Sequence, residues 1–495
     1  MSASEIAAGV RAGRFTASAV VEAHLARIAA VNPSVNAVTV TLDARARSCA
    51  AALDDRIASG HEVGPLAGVP ITVKENIDLT WSATTSGLPF AADAVPAANA
   101  TFVDRLLAAG AIPVGRGNMP DIGLRWDTDN DLFGRTINPW DPARVPGGSS
   151  GGDAVAVATG MAAAGIGNDY GGSLRLPAHA AGIVALRPSA GRVAGPSRIV
   201  EPLPMSLQQM AVNGPLARSV DDVDLLFGVM HGADDYDPLS VTVPHLCGYD
   251  GIRRAAVTVD PAGWGVDPVV AGAVRSAADA LAAAGWEVEE VSPPAVDRCA
   301  TLWRQLSSTE NAPMLLTPGV FPGPLSEGTV RYFRDNIAGV ELLDTSAAYQ
   351  AAWAERFVHA AAWRAFHARY PVVVGPVTTQ AMPPIGYDLS GPAAATELWR
   401  AHRLLVTANF LGLPAVAVPT GVAAPPGAAG SAGVAVPPDV AGSAGVAVSA
   451  EAAGPAGRRP LGVQVIAGLN GEHVALAAAR DIEAAFPAVT PINPS

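Results

Sequence analysis

The stretch PGGSSGGDAVAVATGMAAAGIGNDYGGSLRLP, residues 146–177, holds two glycine-flanked serine sites. Ser149 and Ser150 sit between two glycine pairs, and Ser173 follows Gly171-Gly172. Between them, DAVAVATGMAAAG (153–165) reads as a small-residue helix whose alanines allow close packing on neighbours. About a dozen helical residues climb roughly 18 Å at about 1.5 Å each. The remaining residues can turn and return as a strand at about 3.3 Å each. Ser149 and Ser173 can therefore meet at one end of a sheet.

Working outward, the same rhythm continues. Residues 2–31 read as helices, AVTVTL (37–42) as a strand, and an alanine-rich helix runs to about Ser59. GVPITVKENID (68–78) is a β-branched run ending in polar residues. ATFVDRLLAAG (100–110) is a helix closed by glycine, and AIPVGRGN (111–118) is a strand. Met119–Gly152 is dense in Pro, Gly, Asp and Asn and reads mostly as loop. A second α/β unit follows in RRAAVTVD (253–260), a helix over 268–285, and WEVEEVSP (286–293). The expectation is an α/β fold, a sheet covered by helices. The aromatic helix-like stretches of 300–370, such as 349–366, either pack as ordinary helices or wall an apolar pocket. LPAVAVPTG (413–421) and PLGVQVIAG (460–468) look like neighbouring strands. They are interrupted by an Ala/Gly/Pro-rich run, 422–457, in which AGSAGVAV occurs twice. Two low-complexity copies fall short of a solenoid, so the run reads as a loop insertion within one domain spanning 1–495.

Bulk properties narrow the classes. With 49% hydrophobic and 16% charged residues in 495, a large core can be buried. A formal net charge of −13 with no Lys/Arg cluster argues against nucleic acid and anionic membranes as partners. Cys49, Cys247 and Cys299 are far apart with no CxxC pair, poor material for disulfides or zinc and consistent with a reducing cytoplasm. The start of the chain reads as amphipathic helices, not as a signal peptide, and no apolar run reaches membrane-span length.

The chemistry concentrates in three places. Gly147-Gly148-Ser149-Ser150-Gly151 matches G-x-S-x-G, which would make Ser149 the nucleophile of an α/β-hydrolase elbow. That elbow needs a strand directly before the serine, and the proline-rich Asn138–Pro146 cannot form a central one. Asp169-Tyr170-Gly171-Gly172-Ser173 would present successive N–H groups without bulky side chains, a natural oxyanion hole for Ser173. Lys74 sits at the end of an apolar strand. Desolvation lowers a lysine's pKa, and a neutral lysine is a competent base. Bringing it from about 10.4 to near 7–8 takes roughly 4 kcal/mol. His179 reads as a packed residue.

Together these residues resemble the amidase signature family of serine amide hydrolases. The likeness rests on GVPITVKENID, RWDTDNDLFGRTINPWDPARVPGGSSGG and GNDYGGSLRLPAHAAGIVALRPSAGRV, with MAVNGPLARSVDD (210–222) and the two later strands adding support. The resemblance implies a single large domain with a mixed, twisted β-sheet covered on both faces by helices. It implies Ser173 as nucleophile, Lys74 as base, and Ser149 as a relay held by a cis peptide after Gly148. Tyr170, Gly171, Gly172 and Ser173 would supply oxyanion N–H groups, with Ser150, Asp169 and Arg175 supporting the loop. No metal or cofactor is implied. The partner is a small apolar amide, anilide, ester or carbamate, and a homodimer is left open. Asn168 departs from the threonine or serine often found there, and Gly117 from a Lys-Thr-Asn pattern. Both are expected to bear on loop packing rather than on the reaction. The alternative within the family is the glutaminase component of a tRNA-dependent amidotransferase, whose loop reads Thr-Gly-Gly-Ser-Ile-Arg-Gln. Outside it stand an α/β-hydrolase esterase using Ser149 and a non-catalytic scaffold.

Overall fold

Along the β-strands, successive side chains fall on opposite sides of one sheet, and both sides are apolar. Val416 and Val418 enter one core cluster while Ala415 and Ala417 enter the other. Val372 and Val374 likewise oppose Val373, and Val465 opposes Ile466. A strand buried on both faces needs helices on both faces. The computed structural model describes residues 1–198, 202–423 and 458–494.

The strands are Val38–Thr41 (β1), Pro70–Lys74 (β2), Ile112–Gly117 (β3), Ala164–Asp169 (β4), Val184–Arg187 (β5) and Val212–Ala217 (β6). They continue with Arg254–Val257 (β7), Glu287–Glu290 (β8), Val372–Pro376 (β9), Ala415–Ala423 (β10) and Arg459–Ala467 (β11). Among the described residues they form one 11-stranded sheet in the order β1-β3-β2-β4-β6-β5-β10-β11-β9-β7-β8. The sheet is mixed: β2 is parallel to β3 and β4, and β7 to β8 and β9, while β4 meets β6 antiparallel. The chain is a single large α/β domain, as expected. No helix of the described residues is long and apolar enough to cross a membrane.

The helix after the first serine site is shorter than the sequence suggested. It runs Gly151–Ala158, and Gly160, at φ +74°, breaks it before β4 begins at Ala164. All eight of its residues are buried, so it has no polar face and its small side chains offered no period by which to find its end. β10 and β11 pair antiparallel from Ala415 opposite Ile466 to Ala423 opposite Arg459. Val422 and Ala423, read as the start of the insertion, therefore belong to β10; the rest of that run up to Gly457, with its repeat, lies outside the described residues.

Close approach of backbone to backbone fixes where glycine is needed. A Cβ at Gly152 would lie 2.1 Å from the Asn118 nitrogen and 2.5 Å from the Ala37 oxygen, so the helix could not seat against the end of β3. Gly272, within the helix Pro268–Ala283, meets nothing within 4 Å. Gly152→Ala is expected to destabilise by about 1–3 kcal/mol or more through overpacking. Gly272→Ala is expected to stabilise by about 0.5–1 kcal/mol through helix propensity. Urea unfolding of the two variants, read by linear extrapolation, checks both signs.

Candidate active site

β2 and β4 are adjacent and parallel, with Ile71 opposite Ala164 and Val73 opposite Ile166. Their carboxyl ends therefore share one edge of the sheet, the edge where open α/β sheets gather binding loops. There β2 delivers Lys74 and β4 delivers Asn168 and Asp169. The helix Gly151–Ala158 runs back between β3 and β4, so its amino end returns Ser149 and Ser150 to the same edge. Ser150 N–H donates to the Ser173 carbonyl at 3.2 Å, joining the two serine loops backbone to backbone. The Gly148–Ser149 peptide bond is cis.

Lys74 is fully buried. Its Nζ donates to Ser149 Oγ at 2.7 Å and to Asn168 Oδ1 at 2.6 Å. Burial pushes its ammonium down to about 7, against the pull of the Asp153 and Asp169 carboxylates. Asn168 is thus more than a loop-packing residue. It touches the amine directly, and its Nδ2 donates to Asn76 Oδ1 at 2.9 Å, which fixes the amide's orientation.

The loop after β4 is held by a buried ion pair. Asp169 accepts from Arg175 Nε at 3.0 Å and Nη2 at 3.1 Å, and both side chains are inaccessible to solvent. Arg175 also donates to the Leu405 carbonyl at 3.0 Å, Gln464 Oε1 at 2.7 Å and Asn409 Oδ1 at 2.6 Å. Burial opposes charge on Asp169, but the Arg175 guanidinium overrides it and holds the carboxyl far below the usual carboxylate range. The same carboxylate accepts the N–H of Gly172 at 2.8 Å and of Leu174 at 3.2 Å. Gly172 sits at φ +98°, where a Cβ would come within 2.2 Å of Leu405, so only glycine fits.

This corrects one expectation. The Gly172 N–H is taken up by Asp169 and is not free to meet a substrate oxygen. Among the described residues the N–H groups of Gly171 and Ser173 have no acceptor.

Indole N–H groups fix the loop's carbonyls. Trp303 donates to the Tyr170 oxygen at 3.2 Å, and Trp126 to the Gly171 oxygen at 2.9 Å. The rings continue as a cluster: Tyr170–Trp303 at 5.0 Å, Trp303–Trp399 at 4.8 Å and Trp399–Trp126 at 4.8 Å between centroids. The stretch 349–366 belongs to the helix Ser346–His367 and packs ordinarily, with Trp363 buried and bonded to the Pro294 carbonyl. His179 is buried, and its burial lowers its pKa to about 4.

Trp303 comes from the aromatic stretch 300–370 that the sequence singles out, whereas sequence reading missed the roles of Trp126, Trp399, Asn409 and Gln464, which reach the site from distant segments. The composition carries one further signal: Lys74 is the only lysine among the 32 Lys and Arg residues.

The family described as Amidase matches residues 19–476, so the chain belongs to the amidase signature family, whose members hydrolyse C–N amide bonds. It is 37% identical to the indoleacetamide hydrolase of Bradyrhizobium diazoefficiens, over 97% of this chain and 86% of that protein. It is 35% identical to a component of the glutamyl-tRNA(Gln) amidotransferase of Deinococcus radiodurans, over 85% of this chain and 89% of that one. A 6-aminohexanoate cyclic dimer hydrolase solved with its substrate superposes with a TM-score of 0.77 and 28% identity, covering 98% of this chain and 97% of that chain.

The ion pair generates a prediction about the loop. Arg175→Met removes one partner and leaves the Asp169 carboxylate buried and uncompensated. The variant is expected to lose about 3–5 kcal/mol of stability. Chemical denaturation against the parent measures it.

Proposed function

We propose that the chain hydrolyses the primary amide of a small aryl-substituted carboxylic acid, an arylacetamide, releasing ammonia through an acyl-enzyme on Ser173. The observation that carries the reading is the fully buried Lys74 amine, 2.7 Å from Ser149 Oγ and lowered toward neutrality. Neutral Lys74 takes the Ser149 proton as Ser149 takes that of Ser173, and Ser173 Oγ bonds to the carbonyl carbon. The Gly171 and Ser173 N–H groups receive the developing oxyanion. The proton returns through Ser149 to the leaving nitrogen, the C–N bond breaks, and water repeats the relay to free the acid. Every proton is carried by the chain's own side chains, so the reading needs no cofactor, nucleic acid or membrane.

The aryl preference is supported by the Tyr170, Trp303, Trp399 and Trp126 rings around the nucleophile loop and by the likeness to an indoleacetamide hydrolase. Aromatic walls favour planar apolar groups.

Hydrolysis should be tested on indoleacetamide, phenylacetamide, an anilide, an aryl ester, a carbamate and free glutamine. Arylacetamides are expected to give the highest kcat/KM. Ammonia from glutamine in their place would favour the amidotransferase reading. Lys74→Ala, Ser149→Ala and Ser173→Ala should each lower kcat by about 10^3-fold or more. Because the base works in its deprotonated form, kcat/KM should climb as pH rises through about 7, the value to which burial lowers Lys74.

A further inference from the structure

Asp153 stands in the first turn of the helix Gly151–Ala158, and nothing in the relay or the loop uses it. Its side chain is fully buried beside the Thr72 hydroxyl of β2, and among the described residues no ion pair holds either carboxylate oxygen. The sheet makes room for it. A Cβ on Gly117 would fall 2.2 Å from Asp153 Oδ1, and one on Gly165 would fall 2.9 Å from Asp153 Cβ. Gly117 is the cross-strand partner of Lys74 in the β2–β3 register. Two strands thus omit side chains on either side of β2 to admit a buried carboxylate beside the base. That accounts for the glycine at 117, which sequence reading assigns to loop packing.

Most charged groups around it hold other partners. Glu75, after β2, accepts from the Thr39 hydroxyl and from the Thr85 hydroxyl at 2.6 Å. Arg116 of β3 donates to the carbonyls of Lys74 at 3.1 Å and Ile77 at 2.9 Å. Asp169 of β4 is held by Arg175, from the helix Arg175–Ala181, on which His179 is held neutral by burial. Arg218, past β6, caps the far end of Asp153's own helix through the Val157 carbonyl at 3.2 Å. Lys74 and Arg116 are the cations that act on Asp153, and burial, the larger influence, pushes its carboxyl well above the usual range.

We propose that Asp153 is a positioning residue for the base: its carboxylate faces the positive charge that Lys74 gains on taking the relayed proton, and so sets Lys74's strength as a base. This rests on the reading of Lys74 as the base. In each cycle the proton moves from Ser149 Oγ to Lys74 Nζ and back.

Asp153→Asn keeps the shape and removes the charge. Without the carboxylate, the Lys74 ammonium loses a stabilising neighbour and its pKa falls. The acid limb of kcat/KM against pH should move to lower pH by about 1 unit or more. The plateau should fall as well, because a weaker base transfers the proton less effectively. Should this variant misfold, Gly117→Thr combined with Asp153→Ser refills the space with neutral groups and is read the same way. A folded variant whose pH profile superimposes on the parent's, or falls equally at every pH, overturns the proposal. Lys74→Ala, run alongside, keeps the two ideas apart: an active Lys74→Ala enzyme would refute the base assignment itself.

Discussion

Lys74 carries its amine into a fully buried position between Ser149 and Asn168, and much of the surrounding architecture keeps that amine aimed and out of water. Desolvation is the one influence strong enough to bring a lysine near neutrality against two nearby carboxylates. It requires the amine to lie under a covered edge of the sheet. The parallel pairing of β2 with β4 and the return of the helix Gly151–Ala158 meet that requirement together. Glycines at 117, 152 and 165 let the helix sit close enough to close the chamber.

A second constraint fixes the loop that carries Ser173. Asp169 and Arg175 form an ion pair without solvent, and each is satisfied further by backbone or amide groups from Leu405, Asn409 and Gln464. Such a pair is a weak source of net stability but a strong one of definite geometry here, since either partner alone would be a buried charge. The indole N–H groups of Trp126 and Trp303 hold the carbonyls of the same loop. The Gly171 and Ser173 N–H groups are therefore oriented before any substrate arrives. In the proposed reaction that preorganisation is where the oxyanion gains its stabilisation.

Local signals were enough to read the elements that carry the site. β-branched runs located β2 and β3, and the glycine-flanked serines located the two loops. The fold class followed from the alternation of strand and helix. What escaped the sequence was of three kinds. The end of the helix after Ser150 was misplaced because every residue in it is small and buried, leaving no amphipathic period. Asn168 reads as loop packing in sequence because its partner, Lys74, lies 94 residues away and is reached only through strand pairing. Of the aromatic stretch 300–370, Trp303 reaches Tyr170 while 349–366 packs as an ordinary helix, and Trp126 and Trp399 join the cluster only through tertiary packing, which no local pattern carries.

The proposed chemistry turns on the charge state of one amine, and the composition makes that amine directly observable. With a single lysine in the chain, 15N-lysine labelling places one side-chain nitrogen in the spectrum, that of Lys74. Its resonance should be followed by NMR from acid to alkaline pH in the folded protein. A buried base of this kind is expected to change from ammonium to amine near neutral pH, about 7. An Nζ that remains an ammonium up to the ordinary lysine range, about 10.4, would contradict the role given to Lys74.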